Sequence, residues 1–132
     1  MAKNTTFADV ERKFHSMPQT KFDIPEGLEA EWLSTAVADY ELNLGCDLDY
    51  DEDTREFGGK LNKTAIRTLA QMMYVSYLQR ELDRVSKLNG FYGKDVQFTG
   101  QDGTKRVTAQ MVEEQISLVE TLLHRQKTAA YG

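Results

Sequence analysis

Three aspartates, Asp47, Asp49 and Asp51, occupy alternate positions and are the residues best suited by type and spacing to bind a metal ion. Hard cations prefer clustered carboxylate oxygens, and D-x-D-x-D opens the calcium-binding loop of helix–loop–helix proteins. The rest of that pattern is missing, because Glu52 stands where a sharp turn needs glycine and Gly58 stands where a bidentate glutamate is needed. We therefore interpret the segment as a solvated acidic loop, with weak cation binding as the alternative; its carboxylates are Asp47, Asp49, Asp51 and Asp53.

The two histidines, His15 and His124, are the next candidates for chemistry. Neither has a cysteine, serine or carboxylate at a spacing that suggests a catalytic triad or a metal site. His124 falls near the end of a predicted helix, where a cation is favoured by the helix dipole. We expect surface or helix-cap roles for both residues.

Glycines and basic residues between positions 90 and 106 suggest a third kind of site. The glycines match neither nucleotide-binding fingerprint, and turn formation explains them better. Lys94, Phe98, Lys105 and Arg106 combine positive charge with an aromatic ring, as a nucleic-acid-binding finger does. A solvated loop or a protein contact is the favoured alternative. The sequence therefore predicts no catalytic residue, no cofactor and no metal, and a protein that is not an enzyme.

Composition restricts the class of protein further. The 132 residues are enough for one domain, with 40% hydrophobic and 28% charged residues. The single cysteine, Cys46, allows no internal disulfide, which fits a reducing compartment. No signal-peptide-like run and no stretch of eighteen apolar residues occurs, so we expect neither secretion nor a membrane span.

Charge is unevenly distributed along the chain. Residues 1–60 carry 6 Lys and Arg against 14 Asp and Glu, whereas residues 61–132 carry 10 against 7. Duplex DNA is normally bound by clustered lysines and arginines, so an acidic chain is a poor candidate for gripping DNA. An acidic surface still suits a repulsive lining past which DNA moves.

Hydrophobic periodicity predicts an all-α fold, a small helical bundle of three to four helices with one long central helix. We expect an extended hairpin or loop, with a turn at Gln101–Gly103, between the last two helices. The predicted domains are an N-terminal extension with a short helix (1–20), a helical domain (21–127) and a C-terminal tail (128–132). The predicted helices span residues 6–16, 25–44, 61–89 and 108–127, with Gly45 and Gly90 ending the second and third.

The long helix 61–89 is apolar on most sides of its first half, which predicts burial among several partners. That much apolar surface appears too large for one helix of a small monomer. In the second half of the helix, charged residues occupy the face that is apolar in the first half. This suggests either an intramolecular ion pair or a contact with another subunit. The candidate subunit-interface residues are Met73, Tyr77, Arg80, Glu81 and Arg84.

The order of these segments resembles the head–tail connector family of tailed bacteriophages, also called adaptor or head-completion proteins. The resemblance covers about residues 20–132. It rests on a helix rich in Glu and Ala (EGLEAEWLSTAVADYELNLG), an acidic loop, a long helix (TAIRTLAQMMYVSYLQRELDRVSK), an extended loop (DVQFTGQDGTKR) and a closing helix with a polar tail. It depends on helix order and on the apolar-then-Arg–Glu long helix rather than on one motif.

The resemblance implies a structural virion protein. It would form a ring, usually of twelve copies, beneath the portal protein, extend the channel through which double-stranded DNA passes, and dock the next neck or tail protein. The expected location is the neck of the virion, after assembly in the host cytoplasm. The resemblance assigns portal docking to a C-terminal arm with His124, Arg125, Lys127 and Tyr131, and a channel or tail-side position to the loop with Lys94, Phe98, Lys105 and Arg106.

Two other classes remain open. One is a small helical accessory or regulatory module of a phage or prophage, which binds one partner as a monomer or dimer. The other is a small enzyme that uses the acidic loop and a bound cation.

Overall fold

The computed structural model describes the backbone of residues 3–19, 24–91 and 99–131 and the side chains of residues 3–19, 24–84 and 106–127. Four helices account for most of this chain: α1 (Phe7–His15), α2 (Leu28–Leu44), α3 (Lys63–Phe91) and α4 (Thr99–Tyr131). Between them the described residues form isolated β-bridges but no strand. The predicted small all-helical bundle is therefore confirmed.

Local side-chain chemistry explains where the first two helices begin and end. The Asp9 carboxylate accepts the Thr6 backbone N–H at 2.9 Å, which satisfies a donor at the start of α1. Gly27 and Gly45 flank α2 with φ angles of 85° and 62°, a left-handed conformation that costs glycine little. Gly45 thus ends α2 as predicted, whereas Pro25 lies in the turn before the helix and its carbonyl accepts the Leu28 N–H at 3.2 Å.

Asn62 caps the long helix, since its Oδ1 accepts the Ala65 N–H at 2.7 Å.

The predicted stop at Gly90 is wrong, because α3 continues to Phe91. The predicted turn at Gln101–Gly103 is also wrong: α4 already begins at Thr99. Glycine in a helix costs only about 1 kcal/mol relative to alanine, which is small enough for α4 to include Gly100 and Gly103.

The core surrounds α3, which packs against each of the other three helices. The most deeply buried side chains of α3 include Leu69, Ala70 and Met73, all 0% exposed. Val10 and Phe14 of α1, Leu33 of α2 and Leu123 of α4 close over them; these four side chains are buried as well. The apolar surface that appeared too large for one small chain is therefore covered by the chain's own helices.

Four aromatic rings join α1, α2 and α3. Phe14 lies at the centre, with its ring centroid 6.0 Å from Trp32, 6.5 Å from Tyr74 and 6.1 Å from Tyr77. The interplanar angles of 65–76° are edge-to-face arrangements, which aromatic quadrupoles favour. The Tyr74 hydroxyl also donates to the Pro18 carbonyl at 2.6 Å. The N-terminal residues therefore contribute to the same core as the rest of the bundle.

The helices α3 and α4 run antiparallel, because a short connection joins them and Thr68 near the start of α3 contacts Gln126 near the end of α4. At 1.5 Å per residue they extend over about 44 Å and about 50 Å. Within the described part of the chain, no helix combines the length and the apolarity that a membrane crossing requires.

Candidate functional site

The acidic loop follows α2 directly, and several of its carboxylates stabilise the loop's own turns. Asp47 Oδ1 accepts the Asp49 N–H at 2.8 Å, and Asp51 Oδ1 accepts the Asp53 N–H at 2.9 Å. Such bonds from an aspartate to the backbone two residues further on define Asx turns. The carboxylates of Asp47 and Asp51 are thus held by the loop's own backbone, and Asp47, Asp49, Asp51 and Asp53 are all exposed.

Backbone pairing anchors this loop to the N-terminal segment. Phe57, 1% exposed, donates its N–H to the Thr5 carbonyl at 2.8 Å, and Thr5 donates to the Gly59 carbonyl at 3.0 Å. A Cβ on Gly58 would lie 2.5 Å from the Cβ of Asp49, so the close approach requires glycine there. Residues 39–56 contain eight Asp and Glu against one Arg, and the loop therefore presents a fixed, strongly negative surface.

The three aspartates suggested as cation ligands do not converge in the structure. A different group of three potential ligands does converge among the described residues. The donor atoms of Glu11, His15 and Glu29 all lie within 4.8 Å of one another. His15 Nε2 lies 2.6 Å from Glu29 Oε1, and the two side chains are 49% and 20% exposed. Sequence reasoning missed this cluster because Glu29 lies on another helix, although the i, i+4 spacing of Glu11 and His15 was a usable signal.

The predicted subunit-interface residues divide into a buried and an accessible set. Met73 and Tyr77 are 0% and 2% exposed inside the chain's own core, so neither presents a surface to a second subunit. Glu81 is 5% exposed and pairs with Arg84, whose Nη2 lies 2.9 Å from Glu81 Oε2. Glu81 Oε1 is buried without a hydrogen-bond partner. Arg80 is half-buried beside this pair, and an interface on this face stays a prediction for Arg80 and Arg84.

The predicted C-terminal arm is helical. His124, Arg125 and Lys127 are exposed on α4, which continues through Tyr131; the Tyr131 side chain lies outside the described residues. In the predicted channel loop, Lys94 and Phe98 lie outside the described residues. Lys105 and Arg106 belong to α4, with Arg106 exposed and the Lys105 side chain outside the described set.

Gln126 links three helices through hydrogen bonds that sequence reasoning did not identify. The Tyr40 hydroxyl donates to Gln126 Oε1 at 2.6 Å, and Gln126 Nε2 donates to Thr68 Oγ1 at 2.8 Å. Thr68 in turn donates to the Thr64 carbonyl at 2.7 Å. Burial raises the pKa of Tyr40 above its ordinary value, with a smaller contribution from Cys46, so its hydroxyl remains a donor at neutral pH.

A cleft of about 760 Å³ opens beside this network, between the ends of α2 and α4 and the start of α3. Arg67 and Arg125 line it together with Cys46. Partial desolvation raises the pKa of the otherwise exposed Cys46 thiol, and the nearby carboxylates of Glu41 and Asp47 raise it further. The thiol is therefore protonated at neutral pH and poorly suited to nucleophilic chemistry.

Comparisons with models of protein families, with curated proteins and with solved structures found no match to this chain.

Proposed function

We propose that the protein is a structural subunit of a phage head–tail connector, which assembles as a ring beneath the portal and lets DNA pass without binding it. The resemblance in segment order motivates this proposal. The four-helix order, with a long third helix after an acidic loop, is compatible with it.

The observation that carries the proposal is the fixed, exposed acidic loop. DNA carries one negative charge per about 1.7 Å of duplex, so a surface dense in carboxylates repels it at close range. Screening limits this repulsion to about 8 Å at physiological ionic strength, which suits a lining that acts only when the duplex approaches the wall. Anchoring through Phe57 and Thr5 keeps the charges in place, as a passive lining requires.

The α3–α4 pair offers a second supporting feature. Among residues with described side chains, the last core member of α3 is Leu82 and the first of α4 is Met111. Both helices continue beyond these positions, and Val107 is 57% exposed there. The exposed Val107 side chain on α4 supplies apolar surface for a neighbouring subunit or for a tail-side partner.

Co-sedimentation with the portal ring of the same phage tests the proposal. Wild-type protein is expected to pellet with the ring in a saturable, ring-like stoichiometry. Arg125→Glu/Lys127→Glu reverses two exposed charges on the proposed docking helix and should abolish co-sedimentation. Lys3→Glu/Lys13→Glu makes the same charge change at exposed positions of the N-terminal segment and should leave binding intact.

Failure of the wild-type protein to bind the portal, or equal loss of binding in both double variants, would refute this docking arrangement. A channel-lining role predicts further that the protein does not retain duplex DNA at physiological salt. Retention of duplex DNA in an electrophoretic mobility assay would contradict the repulsive lining.

The second candidate is a helical accessory module that binds one partner as a monomer or dimer. The specific observation in its favour is that one chain covers the apolar surface of α3. Light scattering combined with size-exclusion chromatography separates the two candidates when it is performed with and without portal. A connector becomes part of a ring in the presence of portal, whereas an accessory module keeps its size.

A further inference from the structure

We infer that Glu11, His15 and Glu29 form a binding site for a divalent transition-metal ion, with Zn²⁺ as the best fit, that links α1 to α2. The inference does not depend on the connector role. It rests on three potential ligands from two helices whose donor atoms already lie within 4.8 Å of one another.

The backbone places these side chains together. Glu11 and His15 are four residues apart on α1, so they project from one face of the helix. Glu29 lies in the first turn of α2 and reaches His15 from the other side. Phe14, next to His15, packs against Trp32 of α2, so the interface between the two helices holds the ligand-bearing backbones at this separation.

The ligand distances are compatible with a tetrahedral ion. Zn–N and Zn–O bonds of about 2.0–2.2 Å at tetrahedral angles separate neighbouring ligand atoms by about 3.3–3.6 Å. The 2.6 Å hydrogen bond between His15 and Glu29 therefore opens by a fraction of an ångström, while Glu11 closes toward the other two. Partial exposure of the side chains permits both movements, and a water molecule completes a three-ligand site.

The charges of the cluster also favour a cation. Two carboxylates face one imidazole, so the cluster remains negative whether or not His15 is protonated. Among the described residues Glu11 makes no hydrogen bond or ion pair, and the nearby Arg12 pairs with Asp9 at 3.8 Å. A divalent ion would neutralise both carboxylates and give Glu11 a partner.

The donor set selects the kind of ion. Imidazole nitrogen suits zinc and other late first-row metals, whereas Ca²⁺ and Mg²⁺ prefer sites made of oxygen alone. The site has one nitrogen and two carboxylate ligands, a combination also found with zinc in proteins. We therefore expect Zn²⁺ to bind and Ca²⁺ not to compete with it.

Equilibrium dialysis of the metal-stripped protein against ZnCl₂ tests the site directly. Wild-type protein should bind one Zn²⁺, and its melting temperature should rise with zinc because the ion binds only the folded arrangement. His15→Gln and Glu29→Gln should weaken binding by about 10-fold or more, since losing even an outer-shell partner costs 10–100-fold. Glu11→Gln should do the same while removing no hydrogen bond made by the protein itself.

The chain supplies two matched controls. His124→Gln removes the other histidine, and Cys46→Ser removes the exposed thiol that is the most obvious competing zinc ligand. Both variants should keep wild-type affinity and the zinc-dependent rise in melting temperature. Absence of bound zinc in the wild-type protein would overturn the inference. So would a folded His15→Gln variant that binds zinc with wild-type affinity, or a loss of zinc binding that occurs only in the two control variants.

Discussion

Replacement of Phe14 by alanine should destabilise the whole bundle, although Phe14 lies on a nine-residue helix close to the N-terminus. Its ring is 0% exposed and contacts Trp32, Tyr74 and Tyr77 on two other helices. If α1 were only a peripheral attachment, its loss would leave the remaining helices stable. The contacts of Phe14 instead predict that α1 unfolds together with α2 and α3.

The size of the effect follows from burial. Truncation of a fully buried phenylalanine to alanine costs about 3–5 kcal/mol, which includes the cavity that remains. For 132 residues the entropy of unfolding near the melting temperature is about 0.28 kcal/mol per kelvin. The melting temperature should therefore fall by about 11–18 °C. Such a loss is a large fraction of the total stability of a typical domain, about 5–15 kcal/mol.

Urea unfolding followed by circular dichroism and by tryptophan fluorescence measures this change. Trp32 is the single tryptophan and its ring centroid lies 6.0 Å from that of Phe14, so its fluorescence reports directly on the packing of α1. Leu42→Ala is the matched control, because Leu42 is 83% exposed and its truncation should cost less than about 0.5 kcal/mol. A Phe14→Ala variant within about 1 kcal/mol of wild type would refute the reasoning.

Three further changes test other contacts. Gln126→Ala leaves Tyr40 and Thr68 without their shared partner and should cost about 1–3 kcal/mol in urea unfolding. Asn62→Ala removes the cap of α3 and should cost about 0.5–2 kcal/mol by the same measurement. Burial, with a smaller contribution from Tyr77, raises the pKa of Tyr74, so the folded state holds this phenolic proton more tightly than the unfolded state. The stability that this protonated phenol contributes is complete below pH about 10 and is lost as pH rises through the raised folded-state pKa. Urea unfolding across this pH range should show the loss, and the loss should be smaller in Tyr74→Phe.

Helical periodicity and capping chemistry were sufficient to predict most of the fold. The helix predicted over residues 25–44 corresponds to α2, whose Leu33, Val37 and Tyr40 lie in the core. Gly45 ended this helix where predicted, because its left-handed backbone is an intrinsic preference of glycine. Such features depend on residues near one another in sequence, which is why they were predictable.

Features that depend on contacts between distant segments were not predictable in the same way. The start of α4 was misplaced because Gly100 and Gly103 favour a turn locally, whereas both glycines lie within α4. The partners of Gln126 are 86 and 58 residues away in sequence, so no local pattern indicates them. The apolar faces of α3 were identified correctly, but periodicity alone does not distinguish coverage by the same chain from coverage by a neighbour.

Coverage of α3 by its own chain changes the kind of interface that a connector ring would use. Exposed large apolar side chains among the described residues are Leu42 and Val107, which lie on different helices. A ring built through the described surfaces would therefore rely mainly on polar groups: Arg80 and Arg84 beside the buried Glu81, the acidic loop, and the cations near the end of α4. Polar interfaces bind weakly when each contact is solvated, and salt screens them. A subunit with such surfaces should stay monomeric on its own and join a ring only when a preformed portal orients many copies at once. Each bound copy then presents its polar surface to the next copy at a high effective concentration.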